Sequence, residues 1–199
     1  MRQIFIIGRG GVDKLQLREA ADPQPAQGEV RIRVRASGVN FADVLARQGL
    51  YPDAPPLPCV VGYEVAGVVD AAGPDVLALT RFRGYADTVV VPVSQVFAKP
   101  AALGFEQAAA IPVNYLTVWQ LMVAVGGLSR DETVLIHNAG GGVGLAAIDV
   151  GRHIGATLIG TASSGKHAFL KARGLHHAID YRGGDWVPEL QRLTEGRGV

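Results

Sequence analysis

The chain contains 199 residues, 48% of them hydrophobic and 19% charged, a composition typical of a folded protein and unlike a disordered one. Its formal net charge of +1 gives no bulk attraction to nucleic acid or to an anionic membrane. No apolar run approaches the roughly 20 residues that span a bilayer, and the N-terminus lacks the apolar core of a secretion signal. A single cysteine, Cys59, excludes an internal disulfide and a multi-cysteine metal site. These features favour a cytoplasmic protein.

Short strands separated by turns are predicted for the first hundred residues. Residues 1–7 form an apolar segment that we expect to be the first strand, and residues 30–34 alternate between aliphatic side chains and arginines. Such alternation is typical of a strand with one buried and one solvated face. Residues 61–71 and 85–91 are two further extended segments. Regular short strands with glycine and proline turns predict a small, partly open β-barrel.

One helix is predicted inside this region. Asn40 fits an N-cap, and Phe41, Val44 and Leu45 recur at helical spacing as an apolar stripe. Gly49 is expected to end the helix.

After residue 100 the pattern changes to strands that alternate with helices. Two helical segments come first, at residues 105–110 and 115–125. The alternation that follows predicts strands at 133–137, 157–161 and 177–180 and helices at 142–154, 164–173 and 186–193. This order is typical of a parallel sheet with right-handed crossovers. We therefore expect two domains, at residues 1–112 and 113–199.

A glycine-rich turn joins the first of these parallel strands to the first helix. The 26 glycines of the chain are scattered except in the cluster Gly140–Gly144. In a G-x-G-x-x-G pattern, Ala139 takes the first position and Gly141 and Gly144 take the others. Glycines there let the backbone approach a pyrophosphate, which lies at the positive end of the helix dipole. The context predicts a dinucleotide-binding loop; a glycine turn that binds nothing is the alternative.

The end of the second parallel strand indicates which dinucleotide would bind. A carboxylate at this point holds the ribose 2′-hydroxyl of NAD, whereas a nearby cation accommodates the 2′-phosphate of NADP. Residues 160–166 contain no acid, and Ser163, Ser164 and Lys166 can donate hydrogen bonds to a phosphate. A solvated lysine at a helix start is the alternative for Lys166. The pattern favours NADPH.

The sequence closely resembles the zinc-free quinone oxidoreductase branch of the medium-chain dehydrogenase/reductase superfamily. The stretches that carry the resemblance are residues 36–43 (ASGVNFAD), 47–52 (RQGLYP), 62–67 (GYEVAG), 114–117 (NYLT) and 137–144 (HNAGGGVG). Residues 113–115 also look like the vesicle amine transport protein-like subgroup of that branch. The resemblance implies an α/β protein with a GroES-like, partly open β-barrel that carries substrate and catalytic residues. An NADP-binding Rossmann domain, a doubly wound parallel sheet, would follow, with a cleft between the two.

The resemblance also implies how the substrate is activated. In zinc alcohol dehydrogenases of this superfamily a Cys, a His and another Cys bind the catalytic zinc, and the matching positions here are Asn40, Tyr63 and Val113. An amide, a phenol and an alkyl group cannot form such a site, so no metal is expected. Hydrogen-bond donors must then polarise the substrate carbonyl while hydride comes from the reduced nicotinamide. The resemblance points to Asn40, Tyr51 and Thr117 for these catalytic contacts.

Each of these residues has a structural alternative. Asn40 could serve only as a helix cap, Tyr51 as a loop anchor, and Thr117 as a hydroxyl bonded within its own helix. Asp43, one turn from Asn40, fits a structural role as well as a functional one. Cys59 is expected to be a small buried apolar side chain, because no His-plus-acid pattern accompanies it.

Cofactor contacts follow from the same resemblance. Tyr181, just after the third parallel strand, and Lys166 match positions that hold the 2′-phosphate in similar reductases. The glycine loop would contribute Asn138, Ala139, Gly141, Gly142, Val143 and Gly144. His137, at the end of the first parallel strand, is expected to be structural rather than catalytic.

Two departures from the family pattern matter. The region around residues 73–85 lacks about nine residues, and we expect residues 76–79 to supply the strand there while only a surface loop is shortened. Val199 falls where the fourth Rossmann strand should begin, so the sequence would carry only the adenosine half of that domain. The strand at 133–137 would then form an exposed sheet edge. Similar enzymes commonly dimerise through the other half, so a homodimer is not assumed.

The predicted function is a zinc-independent enzyme that transfers hydride from NADPH to a small-molecule acceptor, a quinone or an α,β-unsaturated carbonyl. The alternatives are a nucleotide-binding but inactive fragment or regulatory module, and a misfolded fragment.

Overall fold

A computed structural model describes residues 1–70 and 72–199 of the chain. Ala71, the last residue of the predicted extended segment 61–71, lies outside the described residues. The chain divides into two compact units, Met1–Val113 (unit 1) and Asn114–Val199 (unit 2). No helix in the described part is long and apolar enough to cross a membrane.

Unit 1 is built from antiparallel strands. These strands are β1 (Arg2–Ile6), β2 (Leu15–Glu19), β3 (Glu29–Ser37), β4 (Glu64–Val69), β5 (Asp75–Leu79), β6 (Thr88–Pro92) and β7 (Val96–Ala98). β1 and β2 form a hairpin, and the other five form one sheet in the order β6-β3-β4-β5-β7. Ile32 of β3 is fully buried, so the predicted alternation does mark a half-buried strand. β5 also confirms the strand expected at residues 76–79, beside the shortened loop.

Helix α1 (Phe41–Gln48) begins and ends where the sequence predicts. Asn40 is its N-cap, and Gly49 ends it in the left-handed conformation with φ of 77°. Within the predicted apolar stripe, Val44 and Leu45 are half-buried but Phe41 is 74% exposed, and the buried residues of the helix are Asp43 and Ala46. The helix turns this face inward because Asp43 finds buried hydrogen-bond donors and Ala46 packs in a small apolar cluster. A second helix, α2 (Phe105–Ala109), follows the sheet.

Unit 2 contains a parallel sheet of three strands. They are β8 (Thr133–Ile136), β9 (Thr157–Thr161) and β10 (His177–Ile179), in the order β10-β9-β8. The connecting helices are α3 (Pro112–Val118), which spans the boundary between the units, α4 (Gly142–Ile154), α5 (His167–Ala172) and α6 (Val187–Leu193). β8 lies at the sheet edge, as expected.

Two of the predicted helices differ from the structure. The segment predicted at 115–125 is α-helical only to Val118 and continues as a π-helix, Trp119–Val125. The N–H of Gly126 reaches five residues back to the carbonyl of Leu121, which widens the turn. The helix predicted at 164–173 begins as a 3₁₀ turn, Ser164–Lys166, before α5.

Candidate functional site

The glycine loop leads from β8 directly into α4. Gly141 is the N-cap, and the N–H groups of the first helical turn have no partner inside the helix. A Cβ at Gly144 would lie 2.5 Å from the carbonyl oxygen of Asn138 and 2.6 Å from Cα of Ala139. Because those are backbone atoms, a side chain at Gly144 would push α4 away from the turn. The loop thus has the close helix–strand packing of a dinucleotide-binding turn.

The start of the loop is held by β9. Asn138 has a positive φ of 51°, and its side-chain nitrogen lies 2.7 Å from where a Cβ of Gly141 would be. Ala139 is fully buried and donates its N–H to the carbonyl of Thr161 at 3.0 Å. The methyl group of Ala139 therefore shapes the turn from inside and does not face a ligand. Val143, in contrast, is 37% exposed on the first turn of α4.

Lys166 reaches the glycine loop. A Cβ at Gly140 would lie 2.7 Å from Cδ and 3.2 Å from Nζ of Lys166, so the lysine side chain crosses this glycine. Ser163 caps the 3₁₀ turn that carries Lys166. The structure therefore brings the predicted cation and the predicted phosphate loop together.

The sequence alone did not reveal a carboxylate that lies beside the 3₁₀ turn carrying Lys166. Asp180, which follows β10, accepts hydrogen bonds from the N–H groups of Ser164 at 3.1 Å and Arg182 at 2.9 Å. The backbone bond from Arg182 is the main cause that lowers the pKa of Asp180. Residues 160–166 do lack an acid, but neighbouring parallel strands end at one sheet edge and bring Asp180 to the same turn. A comparison of the strand ends would have found it.

Tyr181 lies beside a second cation. Its side chain is 48% exposed, and the guanidinium carbon of Arg182 lies 5.7 Å from the centre of its ring. The sequence analysis named Tyr181 but not Arg182. With Lys166, this places two cations close to the ends of β9 and β10.

A buried carboxylate in unit 1, that of Glu64, accepts hydrogen bonds from two of the three residues that match zinc-ligand positions, Asn40 and Val113. Glu64 is 1% exposed, and its Oε1 accepts a hydrogen bond from Nδ2 of Asn40 at 2.9 Å. Oε2 accepts one from the N–H of Val113 at 2.8 Å. Burial raises the pKa of Glu64. From the sequence alone Glu64 is left out of the site, because a single carboxylate does not form a metal site.

Asp43 is the second buried carboxylate of unit 1. Its Oδ2 accepts hydrogen bonds from the N–H of Asn40 at 2.8 Å and the hydroxyl of Tyr85 at 2.9 Å. Oδ1 accepts one from the N–H of Gly62 at 3.0 Å. Burial raises the pKa of Asp43, and burial together with Asp43 raises the pKa of Tyr85. These contacts favour the structural alternative, in which Asp43 fixes the start of α1.

Tyr51 belongs to an aromatic group in unit 1. Its ring meets that of Tyr63 edge-on at 6.0 Å, and Tyr63 lies 5.3 Å from Phe82. The Tyr63 hydroxyl is buried and has no hydrogen-bond partner among the described residues. Tyr51 also lines a cavity of about 600 Å³ together with Arg9. Tyr51 and Asn40 are thus in unit 1.

Three further residues singled out from the sequence are Thr117, His137 and Cys59. Thr117 lies half-buried near the end of α3. His137 has Nδ1 3.3 Å from the hydroxyl of Thr161, and its ring meets Trp186 edge-on at 5.4 Å, which suits the expected structural role. Cys59 is buried, and burial raises its pKa, as expected for an apolar position. Residues 1–70 and 72–199 hold no group of three or more His, Cys, Asp or Glu side chains placed to bind a metal.

The two buried carboxylates of unit 1 should make stability depend on pH. Because burial raises the pKa of Asp43 and of Glu64, the folded state binds these protons more tightly than the unfolded chain. The stability that these two protons contribute is fully present below the pKa values of the unfolded chain, about 4. It is lost as the pH rises through the higher pKa values of the folded state. Glu64→Gln should therefore reduce the fall in unfolding free energy as the pH rises above about 4. Urea unfolding across this range measures it, with the surface variant Glu29→Gln as control; a slope equal to wild type in Glu64→Gln contradicts it.

Comparison with known proteins extends the likeness to the whole chain. The sequence profile of the alcohol dehydrogenase GroES-like domain matches residues 26–83. The synaptic vesicle membrane protein VAT-1 homolog of Rattus norvegicus is 44% identical over 206 residues, covering 98% of this chain and 51% of that protein. A crystal structure of an NAD-dependent alcohol dehydrogenase matches 100% of this chain and 69% of its own, with a TM-score of 0.91 and 33% identity. The chain belongs to the medium-chain dehydrogenase/reductase superfamily.

Within this superfamily the likeness includes a quinone oxidoreductase. The Escherichia coli enzyme, complexed with NADPH, has a TM-score of 0.91 at 34% identity over 99% of this chain and 64% of its own. The predicted fold class, a GroES-like unit followed by part of a Rossmann fold, is confirmed. An NAD-dependent alcohol dehydrogenase and a quinone oxidoreductase complexed with NADPH are both similar to this chain, so the comparisons support a nicotinamide cofactor without distinguishing NAD from NADP. The chain spans about half the length of the curated relatives it matches.

Proposed function

We propose that this chain is the nucleotide-binding and substrate-binding part of a zinc-independent oxidoreductase that transfers hydride from NADPH to a quinone or an α,β-unsaturated carbonyl. The observation that carries the proposal is the glycine loop at the start of α4 with the Lys166 side chain across it. A helix N-terminus and an ammonium group both attract phosphates. Together they support a dinucleotide as the ligand of unit 2.

The loop fits such a ligand because Gly141 and Gly142 carry no side chains, which leaves room beside their backbone for the side-chain amides of Asn138 and Asn114. The N–H groups of the first turn of α4, which have no partner inside the helix, would donate to a pyrophosphate. We assign the 2′-phosphate to Ser163, Lys166 and Tyr181. Asn138 and Val143 border the loop, whereas the buried Ala139 contributes only its shape.

The region at the ends of β9 and β10 that would receive the 2′-phosphate contains both positive and negative side chains. Lys166 and Arg182 favour a phosphate, and the carboxylate of Asp180 opposes it. Two backbone N–H groups already donate to Asp180, and they partly offset its charge. Two cations against one engaged carboxylate favour NADPH over NADH.

Substrate activation is assigned to hydrogen-bond donors. The reduced nicotinamide supplies the hydride when bound. Asn40 and Tyr51 would donate to the substrate oxygen on which negative charge develops, which is the role a Lewis acid fills in zinc enzymes. Thr117 remains a predicted contact of the nicotinamide or substrate. A cytoplasmic location, supported by the composition and the single Cys59, is part of the proposal.

Lys166→Ala should weaken NADPH binding about tenfold or more, because a charged hydrogen bond contributes about 1.5–3 kcal/mol. NADH lacks the 2′-phosphate, so its affinity should change little. Titrations followed by nicotinamide fluorescence measure both dissociation constants. Lys171→Ala, which removes an exposed lysine from the last turn of α5, is the matched control. Equal losses for NADPH and NADH would contradict the role of Lys166.

Turnover tests the function itself. NADPH oxidation, followed by nicotinamide absorbance, should require an added quinone or enone acceptor. Saturable NADPH binding without oxidation of NADPH by any acceptor would overturn the proposed enzyme activity. It would favour a nucleotide-binding regulatory module instead. The absence of both would favour an inert fragment.

A further inference from the structure

The carboxylate of Glu64 is held from three sides. Nδ2 of Asn40 donates to one oxygen and the N–H of Val113 to the other. On a third side, a Cβ at Gly38 would overlap Oε1 of Glu64, so only glycine leaves room for the carboxylate. With 1% exposure, Glu64 has no freedom to turn toward solvent.

This arrangement determines how the Asn40 side chain is turned. Because Oε1 of Glu64 accepts its hydrogen bond from Nδ2, Asn40 directs its NH₂ group, not its carbonyl oxygen, toward the carboxylate. One N–H of Asn40 is then left for another partner, because the Asn40 side chain also accepts the backbone N–H of Asp43 in the capping box of α1. The carboxylate and the capping box therefore turn the amide the same way.

We propose that Glu64 is a positioning residue, whose carboxylate takes one N–H of the Asn40 side-chain amide and so directs the other N–H toward the substrate carbonyl. This rests on the proposed function, in which Asn40 contacts the substrate. Asp43 differs, because the only Asn40 group that its carboxylate contacts through a hydrogen bond is the backbone N–H, so Asp43 fixes the helix start rather than the amide. Orientation before the reaction matters because a donor that must rotate loses part of its effect in the transition state.

The orientation can be measured without turnover. The chain contains three asparagines, Asn40, Asn114 and Asn138, so nitrogen-15 labelling of asparagine gives three side-chain NH₂ pairs. Glu64→Gln should shift the Asn40 pair and speed its exchange with solvent. Gly38→Ala, which displaces the carboxylate without removing it, should do the same and serves if the first variant fails to fold.

Glu29→Gln is the matched control, because its carboxylate also accepts a backbone hydrogen bond in unit 1 but lies on the surface. It should leave the Asn40 pair in place. An Asn40 pair that stays unchanged in both Glu64→Gln and Gly38→Ala overturns the proposal.

Kinetics separate positioning from a merely structural role. Glu64→Gln should lower kcat about tenfold with little change in NADPH affinity, since small misplacements of a catalytic group are costly. In an Asn40→Ala background the same substitution should have no further effect, because Glu64 acts through Asn40. Equal losses in both backgrounds overturn the proposal. If wild type shows no acceptor-dependent oxidation, the proposed function fails, while the Asn40 resonances still decide the orientation.

Discussion

Replacing Gly144 with valine is expected to weaken NADPH binding at least about hundredfold, equivalent to about 3 kcal/mol. A Cβ there would lie within 2.6 Å of backbone atoms of Asn138 and Ala139. Neither can retreat, because Ala139 is fully buried and its N–H is bonded to the carbonyl of Thr161. Helix α4 must therefore move, which withdraws the N–H groups that would donate to the pyrophosphate.

The same clash should destabilise unit 2 by about 1–3 kcal/mol, the usual cost of overpacking. Gly183→Ala is the matched control, because its added Cβ would meet only the Asp180 carbonyl oxygen at an ordinary 3.8 Å. Fluorescence titration and thermal unfolding of both variants measure the two effects. A Gly144→Val protein that binds NADPH as wild type does would rule out α4 as the pyrophosphate site.

Replacing Asn40 with alanine is expected to lower kcat for acceptor-dependent NADPH oxidation about hundredfold, as loss of one oxyanion donor does. NADPH affinity should be retained, because the glycine loop and Lys166 lie in unit 2. The substitution also removes the Nδ2 donor from the buried Glu64, so some loss of stability should accompany it.

A second substitution separates catalysis from helix capping. Asn40→Ser keeps an N-cap side chain but has no amide to donate. Stability close to wild type with a large loss of kcat is expected. Wild-type kcat in Asn40→Ser would mean that Asn40 serves only as a cap.

Local signals predicted those parts of the fold that depend on neighbouring residues. The ends of α1 follow from Asn40 and Gly49, since a cap and a left-handed glycine act within a few residues. The bounds of α4 follow from the glycine loop and from Gly155, which ends the helix in the same left-handed conformation. Strand β3 was found because its alternation is itself the signature of a half-buried strand.

Contacts distant in sequence could not be predicted in the same way. Glu64 meets Val113 across 49 positions, and Asp180 meets Ser164 across 16, and no periodic pattern encodes either pair. The exposure of Phe41 was missed for a related reason. Spacing identifies a stripe, but the buried partners of Asp43 decide which face of α1 turns inward.

The proposed NADPH site of unit 2 consists of the glycine loop and the neighbouring Lys166. Titration of the purified chain with NADPH and with NADH, followed by nicotinamide fluorescence, tests it most directly. We expect saturable binding of both, with a smaller dissociation constant for NADPH that Lys166→Ala brings close to that for NADH. No saturable binding by the folded chain, or tighter binding of NADH than of NADPH, would contradict the proposed site.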